Sequence, residues 1–463
     1  MTLIKSISGI RGTIGGNVGD NLTPLDVVRF TAAFASIIKD ENIGKKVTFV
    51  VGRDARISGS MVENLVVSTL SGMGIDVINT GLSTTPTVEM EVLAQHADGG
   101  IIITASHNPK QWNALKLLNQ KGEFISDTVG KKVLSIADQE EFYFAPVDEL
   151  GKVKTVTDSI DKHIEKILQL DTVDTEAIAK ANFKIAVDGV HSTGGLAIPK
   201  LLKALGVQQI VELYCEPTGD FPHNPEPLPE NLTEISKVVK EQHCDLGIVV
   251  DPDVDRLAFI MENGEMFGEE YTLVMVADYI LSLQKGNTVS NLSSSRALKD
   301  VTEKHGGQYF ASAVGEVNVV AKMKEVNAII GGEGNGGVIY PALHYGRDAL
   351  VGVALALTHL AKTGKKLSEI KQELPAYYLS KNKVQLPPDT NLQALFEIII
   401  QHFPEYEILT IDGVKIEFEE GWVHLRASNT EPILRVYAEG KTPAMAEDYA
   451  SRVIDIMNSI MQF

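Results

Sequence analysis

Gly100-Ile101-Ile102-Ile103-Thr104-Ala105-Ser106-His107-Asn108-Pro109 is an apolar run that ends in a polar turn. The run reads as a buried strand. Val47-Thr48-Phe49-Val50-Val51 and Ile75-Asp76-Val77-Ile78 repeat the signal upstream, with a helical pattern around Met61 to Leu70 between them. Strands alternating with helices predict an α/β layer structure. The pattern recurs twice. Lys184-Ile185-Ala186-Val187 and Leu246-Gly247-Ile248-Val249-Val250 bound a second unit. Thr288-Val289-Ser290-Asn291-Leu292 and Ala328-Ile329-Ile330 bound a third. Each unit sends its last strand into a small or acidic loop, and those loops hold Ser106, Asp251 and Glu333. Ligands of open α/β sheets sit beyond the carboxyl ends of strands, so the three loops are expected around a central cleft.

The C-terminal part differs. Gly413 to Phe418 alternates apolar and polar residues, and Trp422 to Leu425 and Ile433 to Tyr437 read as strands around a polar turn. Thr442-Pro443 offers an N-cap and first-turn proline for a final helix. The expected architecture is three related α/β domains with mixed sheets plus a C-terminal α+β domain. The expected domains span residues 1–150, 151–258, 259–373 and 374–463, with a linker near Leu374-Pro375-Ala376. The length of 463 residues agrees, since domains of about 150 residues make three or four.

A net charge of −19 repels nucleic acid and anionic membranes, so neither is an expected partner. An anionic ligand would need local arginine and lysine clusters. Two cysteines, Cys215 and Cys244, make no disulfide framework and suit a reducing compartment. Met1-Thr2-Leu3-Ile4-Lys5 is not a signal peptide, and apolar runs such as 350–357 fall short of the roughly 20 residues that cross a bilayer. A cytoplasmic location is expected.

Four loops carry candidate chemistry. In the first, a serine hydroxyl is a weak nucleophile unless activated. His107 and Lys116 are candidates for activating Ser106 or steadying a phosphoryl group; an ordinary turn in which Ser and Asn bond the backbone is the alternative. In the second, Asp251-Pro252-Asp253-Val254-Asp255-Arg256, three carboxylates at alternate positions are expected on one side of an extended segment. They repel one another unless a cation joins them, and hard oxygen ligands suit magnesium or calcium. Arg256 stands where a calcium-binding helix–loop–helix would need glycine, which favours a catalytic magnesium site. In the third, Gly331-Gly332-Glu333-Gly334-Asn335-Gly336-Gly337, glycines allow close approach of a ligand, and Glu333 and Asn335 can bond hydroxyls. In the fourth, Arg426-Ala427-Ser428-Asn429-Thr430-Glu431-Pro432 followed by Arg435, two guanidiniums and two hydroxyls suit a phosphate. Ser8-Gly9-Ile10-Arg11-Gly12 and Gly52-Arg53-Asp54-Ala55-Arg56 add arginines that read more readily as structural ion pairs.

These loops, in this order and over essentially the whole chain, resemble the α-D-phosphohexomutase family, which includes phosphoglucosamine mutase, phosphomannomutase and phosphoglucomutase. The resemblance implies four domains around a cleft, a phosphate carried on Ser106, and one Mg2+ per chain held by Ser106, Asp251, Asp253 and Asp255. It places Lys116 and Arg11 near the reacting groups, while His107 remains a catalytic candidate by its position next to Ser106. It assigns Glu333 and Asn335 to sugar recognition, and Arg426, Ser428, Asn429, Thr430 and Arg435 to the non-reacting phosphate. The implied reaction interconverts hexose or hexosamine 6-phosphates and 1-phosphates through a bisphosphorylated sugar, with hexose 1,6-bisphosphate as activator. Glucosamine phosphate is the expected substrate, because a carboxylate at Glu333 suits an ammonium at C2. Glucose and mannose phosphates are the alternative, and a metal-dependent phosphatase or a sugar-phosphate sensor are remoter ones. The sequence departs from the family in carrying Gly337 where its sugar loop has histidine, which is expected to leave more space. It also has Asn429 where many members have glycine, and Ser6-Ile7-Ser8 in the opening motif.

Overall fold

The structure is a computed structural model that describes residues 2–6, 9–387, 390–427 and 433–461. The chain forms two compact units. One comprises residues 1–272 and 335–369, the other residues 273–334 and 370–463.

The first unit holds a seven-stranded sheet in the order Ile4–Ser6, Gly9–Thr13, Trp112–Asn119, Gly99–Ile103, Thr48–Arg53, Asp76–Leu82, Val153–Thr155. The last four strands are parallel, and the remaining pairs are antiparallel. Phe49, Val51, Ile101, Ile103, Leu115 and Leu117 enter one core, which also takes residues from the helices Pro24–Glu41, Gly59–Gly72 and Asp127–Gln139. Val50, Ile102 and Leu118 face the other way, onto Val88 and Val92 of the helix Thr85–Ala94. Both faces are covered, which is why these strands are unbroken apolar runs. Each fully buried Val, Ile or Leu contributes about 1.5–3 kcal/mol.

A second sheet in this unit runs Leu257–Met261, Leu246–Val250, Lys184–Asp188, Gln209–Leu213. Its last three strands are parallel, and Leu257–Met261 returns antiparallel to Leu246–Val250. That hairpin fixes both ends of the loop 251–256.

The second unit contains the parallel strands Tyr309–Ser312, Asn287–Asn291 and Ala328–Glu333. It also contains an antiparallel five-stranded sheet, Tyr378–Gln385, Ile433–Gly440, Gly421–Ala427, Val414–Phe418, Glu407–Leu409. The helices Leu392–Gln401 and Pro443–Met461 cover it through Leu395, Ile399, Ala450, Val453 and Met457. Thr442 Oγ1 accepts the amide of Met445 at 3.2 Å and caps the last helix, as its sequence suggests. Cys215 and Cys244 are unpaired. Among the described residues no helix is long and apolar enough to cross a membrane.

Candidate functional site

Ser106 lies three residues beyond the strand Gly99–Ile103, in the left-handed region at φ 49°. Its turn is clamped from below by Arg56, which is 1% exposed. The Arg56 guanidinium donates to the carbonyls of Asn108 at 2.6 Å, Pro109 at 2.7 Å and Trp112 at 3.1 Å, and also to that of Ser106. Its Nε donates to Asp54 Oδ2 at 3.0 Å, and Thr104 Oγ1 donates to the same carboxylate oxygen at 2.6 Å. Arg56 is thus the structural ion-pairing arginine its context suggests, and the structure adds that its other donors hold the serine turn.

Ser106 Oγ donates to Asp251 Oδ2 at 2.7 Å. His107 Nδ1 is 3.4 Å from Ser106 Oγ, at the limit of a hydrogen bond. Lys116 does not bond the serine. Its Nζ reaches Asp253 Oδ2 at 2.7 Å and Asp255 Oδ2 at 3.3 Å. Arg11, on the strand Gly9–Thr13, pairs in register with Ala114, two residues from Lys116.

The acidic triplet departs from the expected extended geometry. Residues 251–256 form a turn between two antiparallel strands, and Val254 sits at φ 64°. A left-handed β-branched residue costs roughly 1–3 kcal/mol. The sharp turn brings the three carboxylates together, with one oxygen of each within 4.8 Å of the others, and all three residues have no exposure. Burial, and after it the charges of Asp253 and Asp255, push Asp251 well above the usual carboxylate range. Burial alone would also raise Asp255, but Arg347 and then Lys116 hold it below that range.

The hydrogen bonds divide the carboxylate oxygens. Asp251 Oδ1 accepts the amides of Asp255 and Arg256, both at 3.2 Å. Asp253 Oδ2 is taken by Lys116 and by Thr85 Oγ1 at 2.6 Å. Asp255 Oδ2 is taken by Lys116 and by Arg347 Nη2 at 2.7 Å. Asp253 Oδ1 and Asp255 Oδ1 are buried without a hydrogen-bond partner. Buried carboxylate oxygens are costly to leave unsatisfied, and hard oxygens clustered this closely fit a divalent cation such as magnesium.

Cations answer the global negative charge locally. Desolvation, then the charges of Arg256, Arg11 and Arg347, lower His107 well below the ordinary imidazole value, so it is neutral at pH 7. Arg347 lies beside Asp348, which anchors the start of the helix Ala349–Thr363. Asp348 Oδ1 accepts the amides of Leu350 at 2.8 Å and Val351 at 3.3 Å. Its Oδ2 lies 2.9 Å from His163 Nε2 and 3.2 Å from His344 Nε2. These three side chains are a second group able to gather around an ion, and His163 Nδ1 is tied to Thr87 Oγ1 at 2.9 Å.

In the second unit, Glu333 Oε1 accepts Asn291 Nδ2 at 2.8 Å and the Gly315 amide at 3.0 Å, so the carboxylate is fixed in orientation. Asn335, in the first unit, accepts the Gly337 amide at 3.2 Å. The space expected at Gly337 is filled: a Cβ there would overlap Cδ of Arg347. On the C-terminal sheet Arg426 pairs directly with Arg435, and Arg435 pairs with Lys383 on its other side. Asp412 Oδ2 accepts Arg426 Nε at 2.8 Å. Three cations in one cross-strand row repel one another, and an anion relieves them. Ser428, Asn429 and Thr430 lie outside the described residues.

Comparison with known proteins identifies the family. Models of the phosphoglucomutase/phosphomannomutase family match in order: alpha/beta/alpha domain I over residues 3–144, domain II over 161–264, domain III over 268–378 and the C-terminal domain over 361–456. The chain belongs to that family, the α-D-phosphohexomutases, whose members are isomerases of sugar phosphates. A phosphoglucomutase/phosphomannomutase of Thermococcus kodakarensis is 36% identical over 97% of this chain and 99% of its own. A probable phosphoglucosamine mutase of Methanopyrus kandleri is 31% identical over 98% of each. The crystal structure of a phosphoglucomutase/phosphomannomutase family protein from Burkholderia thailandensis superposes with a TM-score of 0.84 at 25% identity, covering 99% of this chain and 98% of that one.

The sequence reading missed Arg347, Thr85 and Lys383. Arg347 and Thr85 meet the triplet only through tertiary contacts, and Lys383 joins the arginines only through strand register. The Gly337-to-Arg347 pairing had one signal available, a glycine where a side chain was expected.

Proposed function

We propose that the chain is a phosphoserine-dependent mutase that interconverts hexosamine 6-phosphate and 1-phosphate. The observation that carries the reading is the contact of Ser106 Oγ with Asp251 beside two buried, uncommitted carboxylate oxygens. A phosphoryl group on Ser106 would meet a cation held by Asp251, Asp253 and Asp255. That magnesium ion supplies charge neutralisation for the transferred group.

In the forward half-reaction the O–P bond at Ser106 breaks, a sugar hydroxyl takes the phosphoryl group, and the proton that this hydroxyl loses passes to Ser106 Oγ. His107, neutral and adjacent, is the candidate acceptor for the hydroxyl proton. Lys116 and Arg11 offset the negative charge of the phosphoryl oxygens. The bisphosphorylated sugar turns around and returns its other phosphate to Ser106, so hexose 1,6-bisphosphate acts as activator. Either phosphate must therefore fit a second anion site, for which the row of Arg426, Arg435 and Lys383 with Ser428, Asn429 and Thr430 is the candidate. Glu333 and Asn335 would read the sugar. A fixed carboxylate at Glu333 pairs with an ammonium at C2 more strongly than with a neutral hydroxyl. The Methanopyrus kandleri relative is named for the same sugar, whereas the Thermococcus kodakarensis relative is named for glucose and mannose phosphates.

The test is a coupled assay on phosphorylated enzyme with glucosamine, glucose and mannose phosphates. The highest kcat/KM is expected on glucosamine phosphate. A higher value on glucose or mannose phosphate overturns the sugar assignment alone. Release of stoichiometric inorganic phosphate without isomerisation overturns the mutase mechanism.

A further inference from the structure

The acidic triplet is held by an outer layer of donors, and one of them arrives from far along the chain. Each aspartate has one oxygen occupied by a side-chain donor: Ser106 on Asp251, Thr85 and Lys116 on Asp253, Lys116 and Arg347 on Asp255. The division leaves Asp253 Oδ1 and Asp255 Oδ1 buried without a hydrogen-bond partner. Rotation of either carboxylate about its Cβ–Cγ bond would exchange its two oxygens and spoil the set.

We infer that Arg347 is the positioning residue for this cation site: it fixes Asp255 through Oδ2 and thereby presents Oδ1 to the metal. The inference rests on the reading of the triplet as the magnesium site. Three observations place Arg347 in that role. Its contact with Asp255 is 2.7 Å long, with the two side chains 10% and 0% exposed. Its stem crosses the face of Gly337, where a Cβ would overlap Cδ, so the glycine is what admits it. Its backbone is fixed by Asp348, which caps the next helix with one oxygen and meets both His163 and His344 with the other. A guanidinium on a pinned backbone defines one orientation for the carboxylate it faces.

Outer-layer partners of metal ligands typically change metal affinity by about 10–100-fold when removed. The experiment titrates Mn2+ into resting, sugar-free protein and reads free ion by electron paramagnetic resonance. Circular dichroism and thermal unfolding check the fold of each variant. Arg347→Met is expected to weaken Mn2+ binding at least about 10-fold. Arg347→Lys should recover part of the loss, since it restores charge with a single donor. Gly337→Ala, which leaves every polar group in place but displaces the arginine stem, should also weaken binding. Asp253→Asn is the reference. If Asp253→Asn weakens binding and folded Arg347→Met and Gly337→Ala do not, the inference is wrong and the metal site stands. If Asp253→Asn leaves Mn2+ binding unchanged, the metal-site reading itself fails. In turnover, the Mg2+ concentration for half-maximal rate should rise in Arg347→Met while KM for the sugar phosphate stays within about 3-fold. A rise in sugar KM with unchanged metal affinity would make Arg347 a substrate contact instead.

Discussion

Replacing Arg56 with methionine should separate the stability of the fold from the placement of the serine. The side chains of Arg56 and Asp54 both have no exposure, and the guanidinium also serves the carbonyls of residues 106, 108, 109 and 112. Methionine fills much of the volume but leaves those carbonyls undonated and Asp54 without its counter-charge. Breaking a buried pair by removing one partner costs about 3–5 kcal/mol. A domain of this size shifts about 2 °C per kcal/mol, so the melting temperature should fall by roughly 6–10 °C. Below that temperature the protein should be folded but slow. Ser106 is held at φ 49°, a conformation that a non-glycine residue leaves readily once its clamp is gone. A displacement of about 1 Å in a reacting group costs about 100-fold in rate, so kcat should drop by that order with KM little changed. The double variant Asp54→Asn with Arg56→Met removes the unpaired charge. It should regain a substantial part of the stability and none of the turnover. Scanning calorimetry and the mutase assay at a temperature well below both transitions supply the two readouts. A single variant that melts within 2 °C of the parent, by the scale just used, and turns over normally would show that the carbonyl clamp does not hold the serine.

Ser106→Ala should abolish turnover and any phosphate adduct in the intact mass, with a melting temperature close to the parent; isomerisation at the parental rate would rule out the phosphoserine route. Chelator should stop the wild-type reaction and added Mg2+ restore it, and a protein fully active in chelator would remove the metal from the mechanism. His424 is 1% exposed, lies between Ser293 and the Asp412 carbonyl, and is held by burial at about 4 against an ordinary 6.5. The neutral ring is the folded form, so its contribution is complete above about pH 6.5 and is lost as pH falls towards 4, a change of about 3 kcal/mol. Unfolding of His424→Gln between pH 7.5 and 4.5 should therefore vary less than that of the parent, and equal slopes would refute the linkage.

The strands were legible because both faces of the first sheet are covered, so Ile101, Ile102 and Ile103 stand unbroken instead of alternating. The triplet was legible as chemistry, since three aspartates in five residues demand a cation, but not as geometry. Nothing about Val254 announces a left-handed residue, and a turn replaced the expected extended segment. Arg56 reads from the sequence as an ordinary structural ion-pairing arginine, because its carbonyl contacts lie about fifty residues away. Arg347 escaped for the same reason at greater range: its partner is 92 residues earlier. Gly337 suggested an opening only because one sequence position cannot report which distant side chain fills the space.

The division of the chain at residues 273 and 335 has a consequence for the order in which the molecule is made. A ribosome releases Ser106, Lys116 and the whole triplet long before Asn335 and Arg347. In the interval the nascent chain carries three buried-to-be carboxylates with only part of their counter-charge, while residues 273–334 of the other unit are synthesised between them and their arginine. Folding of the first unit can finish only when the segment 335–369 has emerged. Truncations that stop before it should give an N-terminal piece with the right strands and an unfinished acidic loop, however well its apolar core has closed.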